Sequence, residues 1–182
     1  MPKIIYRRGQ VLPWDTQSAF KMKYYTSQED KNTVFCYLKG YVLGDDLSLC
    51  VYFFEDVPTQ RDKLTLSLNL TPQRKDSILK IRFGYRGVNS RTYCGKAVDS
   101  VPVKFKSYKA NDEQGYYWCA EISLAGDKAK EIFGDKALGE NILAMNLVRH
   151  FEDGNLGSLS SAGKTADEDI LNTMEIFTVI DY

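Results

Sequence analysis

His150 is the only histidine in this 182-residue chain. A single imidazole rules out any metal site built from several histidines, and it leaves one base for a Ser or Cys nucleophile. Met145 and His150 offer a thioether and an imidazole to a haem iron. Five positions apart on one strand, however, they project to opposite faces. Cys36, Cys50, Cys94 and Cys119 show no C-x-x-C spacing, and three of them fall inside strand patterns. They read as reduced thiols that pack like small apolar groups. Glycoside hydrolysis needs only two facing carboxylates, about 5 Å or about 6.5–9.5 Å apart. The 24 acidic residues contain no pair that spacing singles out. Asp45, Asp46, Glu55, Asp56 and Asp62 gather oxygen ligands of the kind calcium needs, with Asp45, Asp46 and Asp56 as the candidate ligands. Acids in turns are commoner than calcium sites.

The elements that must position these groups are strands. Leu64, Leu66, Leu68 and Leu70 alternate with Thr65, Ser67 and Asn69. Leu79, Ile81, Phe83 and Tyr85 alternate with Lys80, Arg82 and Gly84, and Val101, Val103 and Phe105 with Pro102 and Lys104. A period of two buries one face and wets the other, as antiparallel sheets do. About ten strands are expected: Ile4–Arg7, Ala19–Tyr25, Val34–Leu43, Leu47–Phe54, Leu64–Leu70, Leu79–Tyr85, Val101–Tyr108, Tyr116–Leu124, Ile142–His150 and Glu175–Ile180. Turn signals such as Gly44-Asp45-Asp46 and Thr71-Pro72 separate them. One short helix is expected over Asp127–Phe133, capped by Asp127 and closed by Gly134. Gly87–Ser100 reads as irregular, and Glu152–Thr173 as a long loop of the kind that often serves as a lid or binding loop. The expected fold is all-β: residues 1–182 as one two-sheet antiparallel β-sandwich, immunoglobulin-like or jelly-roll-like.

Composition narrows the partners. Lys+Arg and Asp+Glu are equal at 24 each. That balance argues against nucleic acid and anionic membrane surfaces, which need a basic excess. No apolar run approaches the roughly 20 residues of a membrane span. No signal peptide is visible at the start, so a complete chain would be cytoplasmic and a trimmed one secreted.

The segment Gly115-Tyr116-Tyr117-Trp118-Cys119-Ala120-Glu121-Ile122-Ser123-Leu124, then a short helix, Gly139, and a strand with Asn146 and Arg149, resembles the C-terminal half of family 9 carbohydrate-binding modules and their DOMON-like relatives. Trp14 with Ala19 and Phe20 is similar to the family's opening strand, Leu47–Asp56 to its acid-ended hydrophobic strand, and Asn172–Ile180 to its closing strand. The resemblance implies a β-sandwich that binds saccharides or glycan ends, sometimes with calcium. It implies no catalysis of its own, and a glycoside hydrolase as partner. Ser123 stands where the family carries proline. The late tryptophan with which members clamp a sugar has no counterpart between Phe151 and Thr173.

Sugars present C–H faces to aromatic rings and hydroxyls to fixed polar groups. Tyr85, Tyr93, Tyr117 and Phe151 are therefore the expected stacking rings. Arg86, Glu121 and Arg149 are the expected polar partners, with an Arg149–Glu121 ion pair between neighbouring strands. The expected function is non-catalytic saccharide binding. A protein-interaction sandwich and a glycan-processing hydrolase are the alternatives.

Overall fold

Leu64, Leu66 and Leu68, which the period of two sets on one face, are at most 1% exposed. The computed structural model describes residues 3–26, 36–54, 64–98, 103–139, 141–151, 154, 156–160 and 174–182. Its strands are β1 (Lys3–Arg8), β2 (Ala19–Lys21), β3 (Tyr24–Tyr25), β4 (Cys36–Leu43), β5 (Asp46–Phe54), β6 (Leu64–Asn69), β7 (Leu79–Gly84), β8 (Gly87–Tyr93), β9 (Lys96–Ala97), β10 (Val103–Asp112), β11 (Gly115–Leu124), β12 (Ile142–His150), β13 (Leu156–Ser158) and β14 (Glu175–Asp181). A 3₁₀ turn (Trp14–Thr16) precedes β2, and the helix α1 (Gly126–Phe133) follows β11.

The hydrogen-bonded order is β10-β11-β5-β4-β1-β14-β12-β6-β7-β8-β9, with β2 on β4 and β13 on β12. The two halves face each other as an unclosed all-β sandwich. Across the gap Phe83 meets Phe105 at 5.8 Å, Tyr85 meets Trp118 at 5.9 Å, and Phe20 meets Phe177 at 5.0 Å. β1 joins the halves and runs parallel to both β14 and β4, whereas every other recorded pair is antiparallel.

Several expectations change. The run Ala19–Tyr25 is two strands, because Met22 N–H donates to Cys36 O and Lys23 N–H to Ser158 O, so the chain crosses between layers there. Gly87–Ser100, expected to be irregular, contains β8 and β9. Asn89, Ser90, Arg91 and Thr92 leave β8 no apolar alternation, and its pairing with β7 supplies the order instead. β13 lies inside the expected loop Glu152–Thr173, most of which is outside the described residues. The polar side of β6 is not wet: Thr65, Ser67 and Asn69 are fully buried.

Helix α1 starts without the expected Asp127 cap. Its N-cap residue is Ala125, and Asp46 Oδ1 accepts the Gly126 N–H at 2.7 Å. A carboxylate from the neighbouring strand thus satisfies an orphan donor at the positive end of the helix. Asp45 presses on Gly126 so closely that a side chain there would collide with it. Gly134 closes the helix at φ +87°, a region that favours glycine. The buried face of α1 places Ala129 and Phe133 on the core. No helix among the described residues is long and apolar enough to cross a membrane.

Candidate functional site

β5 is apolar at both parities, from Leu49 to Phe54. Leu49, Val51 and Phe53 enter the core, which turns Cys50, Tyr52 and Phe54 to the outer face of the β4–β5–β11–β10 layer. Register then assembles two rows across that face. Tyr37, Tyr52, Cys119 and Tyr108 are consecutive neighbours in one, and Lys39, Cys50, Glu121 and Lys106 in the other. Tyr117 lies beside Phe54 one step further along.

The first row is a platform of rings. Tyr37 stacks on Tyr52 at 4.6 Å and 15°. Tyr117 meets Phe54 at 5.0 Å and Tyr52 at 5.8 Å. Tyr52 and Phe54 form its buried base, while Tyr37, Tyr108 and Tyr117 are half-buried. Burial pushes the Tyr37 hydroxyl up to about 12 and raises those of Tyr52, Tyr108 and Tyr117. These phenols stay neutral at physiological pH and can donate hydrogen bonds. Contact with the Cys119 thiol, then burial, likewise keeps Cys50 protonated. All four cysteines are free, with Cys36, Cys50 and Cys119 buried and Cys94 exposed.

The second row supplies charge, and Trp14 fixes it. Trp14 Nε1–H donates to Glu121 Oε1 at 3.1 Å, and Lys39 Nζ donates to Trp14 O at 2.8 Å. The indole itself rests on Tyr41 at 5.1 Å. One tryptophan therefore holds an acceptor and a cationic donor beside the ring platform. Preorganised partners lose less entropy when a ligand is bound. Rings, neutral phenols, a carboxylate and an ammonium together suit a hydroxylated ligand with an apolar face.

The opposite layer offers a polar face that is closed. Thr65 Oγ1 lies 2.9 Å from His150 Nε2. Asn146 Oδ1 accepts Ser158 Oγ–H at 3.0 Å and Ser160 N–H at 3.1 Å. Asn146 Nδ2 and Ser67 Oγ are buried with no hydrogen-bond partner among the described residues. Asn146 and Ser67 are fully buried, so no ligand reaches them in this conformation.

The residues expected at a site are dispersed. Tyr117 and Glu121 come together on the platform face. Arg149 and Phe151 come together elsewhere, with the guanidinium carbon 4.1 Å from the Phe151 ring and 4.5 Å from the Phe53 ring. Phe151 also lies 6.4 Å from Tyr25. The expected Arg149–Glu121 ion pair is corrected: Arg149 lies on the inward-facing Phe53, whereas Glu121 bonds Trp14 on the outer face of that layer. Tyr85 sits in the seam between layers against Trp118. Tyr93 covers Phe133 of α1 at 5.6 Å and 82°. Arg86 is exposed at the β7–β8 turn.

Of the expected calcium ligands, Asp45 binds Lys130 Nζ at 2.9 Å and Arg7 Nη1 at 3.4 Å, Asp46 serves α1, and Asp56 lies outside the described residues. The Lys130 ammonium, then Arg7, holds the Asp45 carboxyl below its usual range. Among the described residues no group of three or more His, Cys, Asp or Glu is placed to hold a metal ion.

Sequence reasoning missed Trp14, Tyr37, Lys39, Tyr52, Phe54 and Tyr108 as platform residues. The available signal was the second apolar parity of β5. In a sandwich layer only one face can enter the core, so the aromatic residues of the other parity had to lie outside it.

No family model matches the chain, and neither does any curated protein. Solved structures do. A family 9 carbohydrate-binding module from Caldicellulosiruptor kristjanssonii in complex with cellotriose matches with a TM-score of 0.67 and 14% identity, over 99% of this chain and 95% of that one. A family 9 module from the same organism in complex with glucose matches with a TM-score of 0.66 and 14% identity, over 99% and 97%. A protein from Bacteroides uniformis, provisionally described as carbohydrate-binding, matches with a TM-score of 0.63 and 10% identity, over 91% and 88%. The chain therefore has the fold of the family 9 carbohydrate-binding modules.

Proposed function

We propose that this protein is a non-catalytic module that holds a saccharide on the outer face of β4, β5, β10 and β11. The observation that carries this reading is the tethering of Glu121 and Lys39 to Trp14 beside the Tyr37–Tyr52–Tyr117 rings. A sugar's C–H face would lie on the rings, and its hydroxyls would bond the carboxylate, the ammonium and the phenols. Solved modules of the same fold in complex with cellotriose and glucose support a saccharide as the ligand class. In finer form, the ligand is a small saccharide or a glycan end. The module would then serve carbohydrate catabolism beside a glycoside hydrolase. No cofactor is needed for binding of this kind.

Affinity should be modest, about micromolar to millimolar, because a few hydrogen bonds and one stacked ring replace well-solvated hydroxyls. Calorimetry with cellotriose, glucose and a glycan panel should detect binding, unchanged by calcium. Tyr117→Ala and Glu121→Gln should each weaken it by about tenfold, equivalent to one lost stacking or charge-assisted contact. Both variants should keep the wild-type circular dichroism. Undiminished affinity in both folded variants removes the platform as the site.

A further inference from the structure

Arg7 and Arg8 are adjacent on β1 and differ completely in their partners. Arg7 is committed: its guanidinium meets Asp45 at 3.4 Å, Asp181 at 3.3 Å, Asn141 Oδ1 at 3.1 Å and Gly44 O at 3.1 Å. Among the described residues Arg8 forms no ion pair, and its buried Nε has no hydrogen-bond partner there. Its guanidinium carbon lies 4.7 Å from the Tyr6 ring and 4.2 Å from the Tyr182 ring, and those rings meet edge to face at 5.5 Å.

Two aromatic contacts hold the planar fork in place without neutralising it. Arg8 also lines a cleft of about 330 Å³ with Gly9, Gln10, Leu12 and Tyr182. That volume lies at the small end of the range for small-molecule sites. Tyr182 is 86% exposed, so it remains accessible to a ligand beside its contacts with Arg8 and Tyr6. A fixed cation with no ion-pair partner among the described residues, an accessible ring, an apolar side chain and an amide sit around one small cleft. A guanidinium fork matches a carboxylate, which it can bind through two parallel hydrogen bonds.

We propose that this cleft is a second ligand site, specific for a carboxylate-bearing sugar such as a uronate. The carboxylate pairs with the Arg8 Nη groups, and the sugar ring packs on Tyr182 and Leu12. This site shares no residue with the Trp14–Glu121 platform, and neither reading depends on the other.

The test is a nuclear magnetic resonance titration with glucuronate, glucose and acetate, read at the backbone resonances of Gly9 and Gln10. Glucuronate should shift them at least about tenfold more effectively than glucose, which lacks the charge, or acetate, which lacks the ring. Arg8→Gln should abolish the response. Tyr182→Ala, a change at an exposed side chain, should weaken it even if the Arg8 variant folds poorly. Glu121→Gln should leave it intact, so failure here is distinguishable from failure at the platform. A glucuronate response no stronger than that of glucose or acetate overturns the proposal. So does a response undiminished in Tyr182→Ala, or in a folded Arg8→Gln variant.

Discussion

Replacing Trp118 by alanine is expected to lower the unfolding free energy by about 3–5 kcal/mol, the range for deleting a large buried aromatic side chain. Trp118 is 1% exposed. Its indole stacks on Phe53 at 5.2 Å within its own layer and meets Tyr85 edge-on at 5.9 Å from the other. Removing it leaves a cavity at the seam, where rigid strands cannot collapse to fill the space. In a chain of this size the melting temperature should fall by roughly 10 °C or more. Chemical denaturation with an unchanged m-value would attribute the loss to the native state. A loss below about 1 kcal/mol would mean that the two layers do not pack through this ring.

Arg149→Ala is the second large effect, expected at about 2–4 kcal/mol of stability. Arg149 is 6% exposed, with its guanidinium carbon on the Phe53 and Phe151 rings. A desolvated contact between a guanidinium and a ring is worth about 2 kcal/mol or more, and truncation also removes the packing of the aliphatic stem. Arg149→Lys should recover only part of the loss, because an ammonium keeps the charge without the planar stacking surface. The sequence reading would instead have Arg149→Ala weaken sugar binding in a stable domain. Thermal denaturation and calorimetry on one preparation separate the two roles. A fully stable variant with lost saccharide binding would move Arg149 into the ligand site.

These residues also show where the sequence is readable. The leucine alternation of β6 and the Trp118–Leu124 alternation of β11 point into the core, because a period of two maps directly onto sheet faces. Alternation says which side chains share a face but not whether the second face is solvated. On β6 the second face is closed over Thr65, Ser67 and Asn69, and on β5 it carries the rings of the platform. Neither fact is local. The row that joins Lys39, Cys50, Glu121 and Lys106 exists only because the β5–β11 registry joins two hairpins distant in sequence, β4–β5 and β10–β11. β8 was unreadable for a related reason, since its order comes from a neighbour rather than from its own apolar residues. Asp127 illustrates competition between caps: it begins the helix in sequence, but Asp46 from β5 reaches the Gly126 N–H.

The two tryptophans of the chain make the proposed saccharide site directly observable. The Trp14 indole N–H bonds Glu121 on the outer face, while Trp118 is sealed on the inner face of the same layer. Titration of the ¹⁵N-labelled protein with neutral saccharides, cellotriose and glucose among them, should move the Trp14 indole resonance and leave that of Trp118 in place. A Trp14 resonance that stays fixed while a saccharide demonstrably binds would contradict this account.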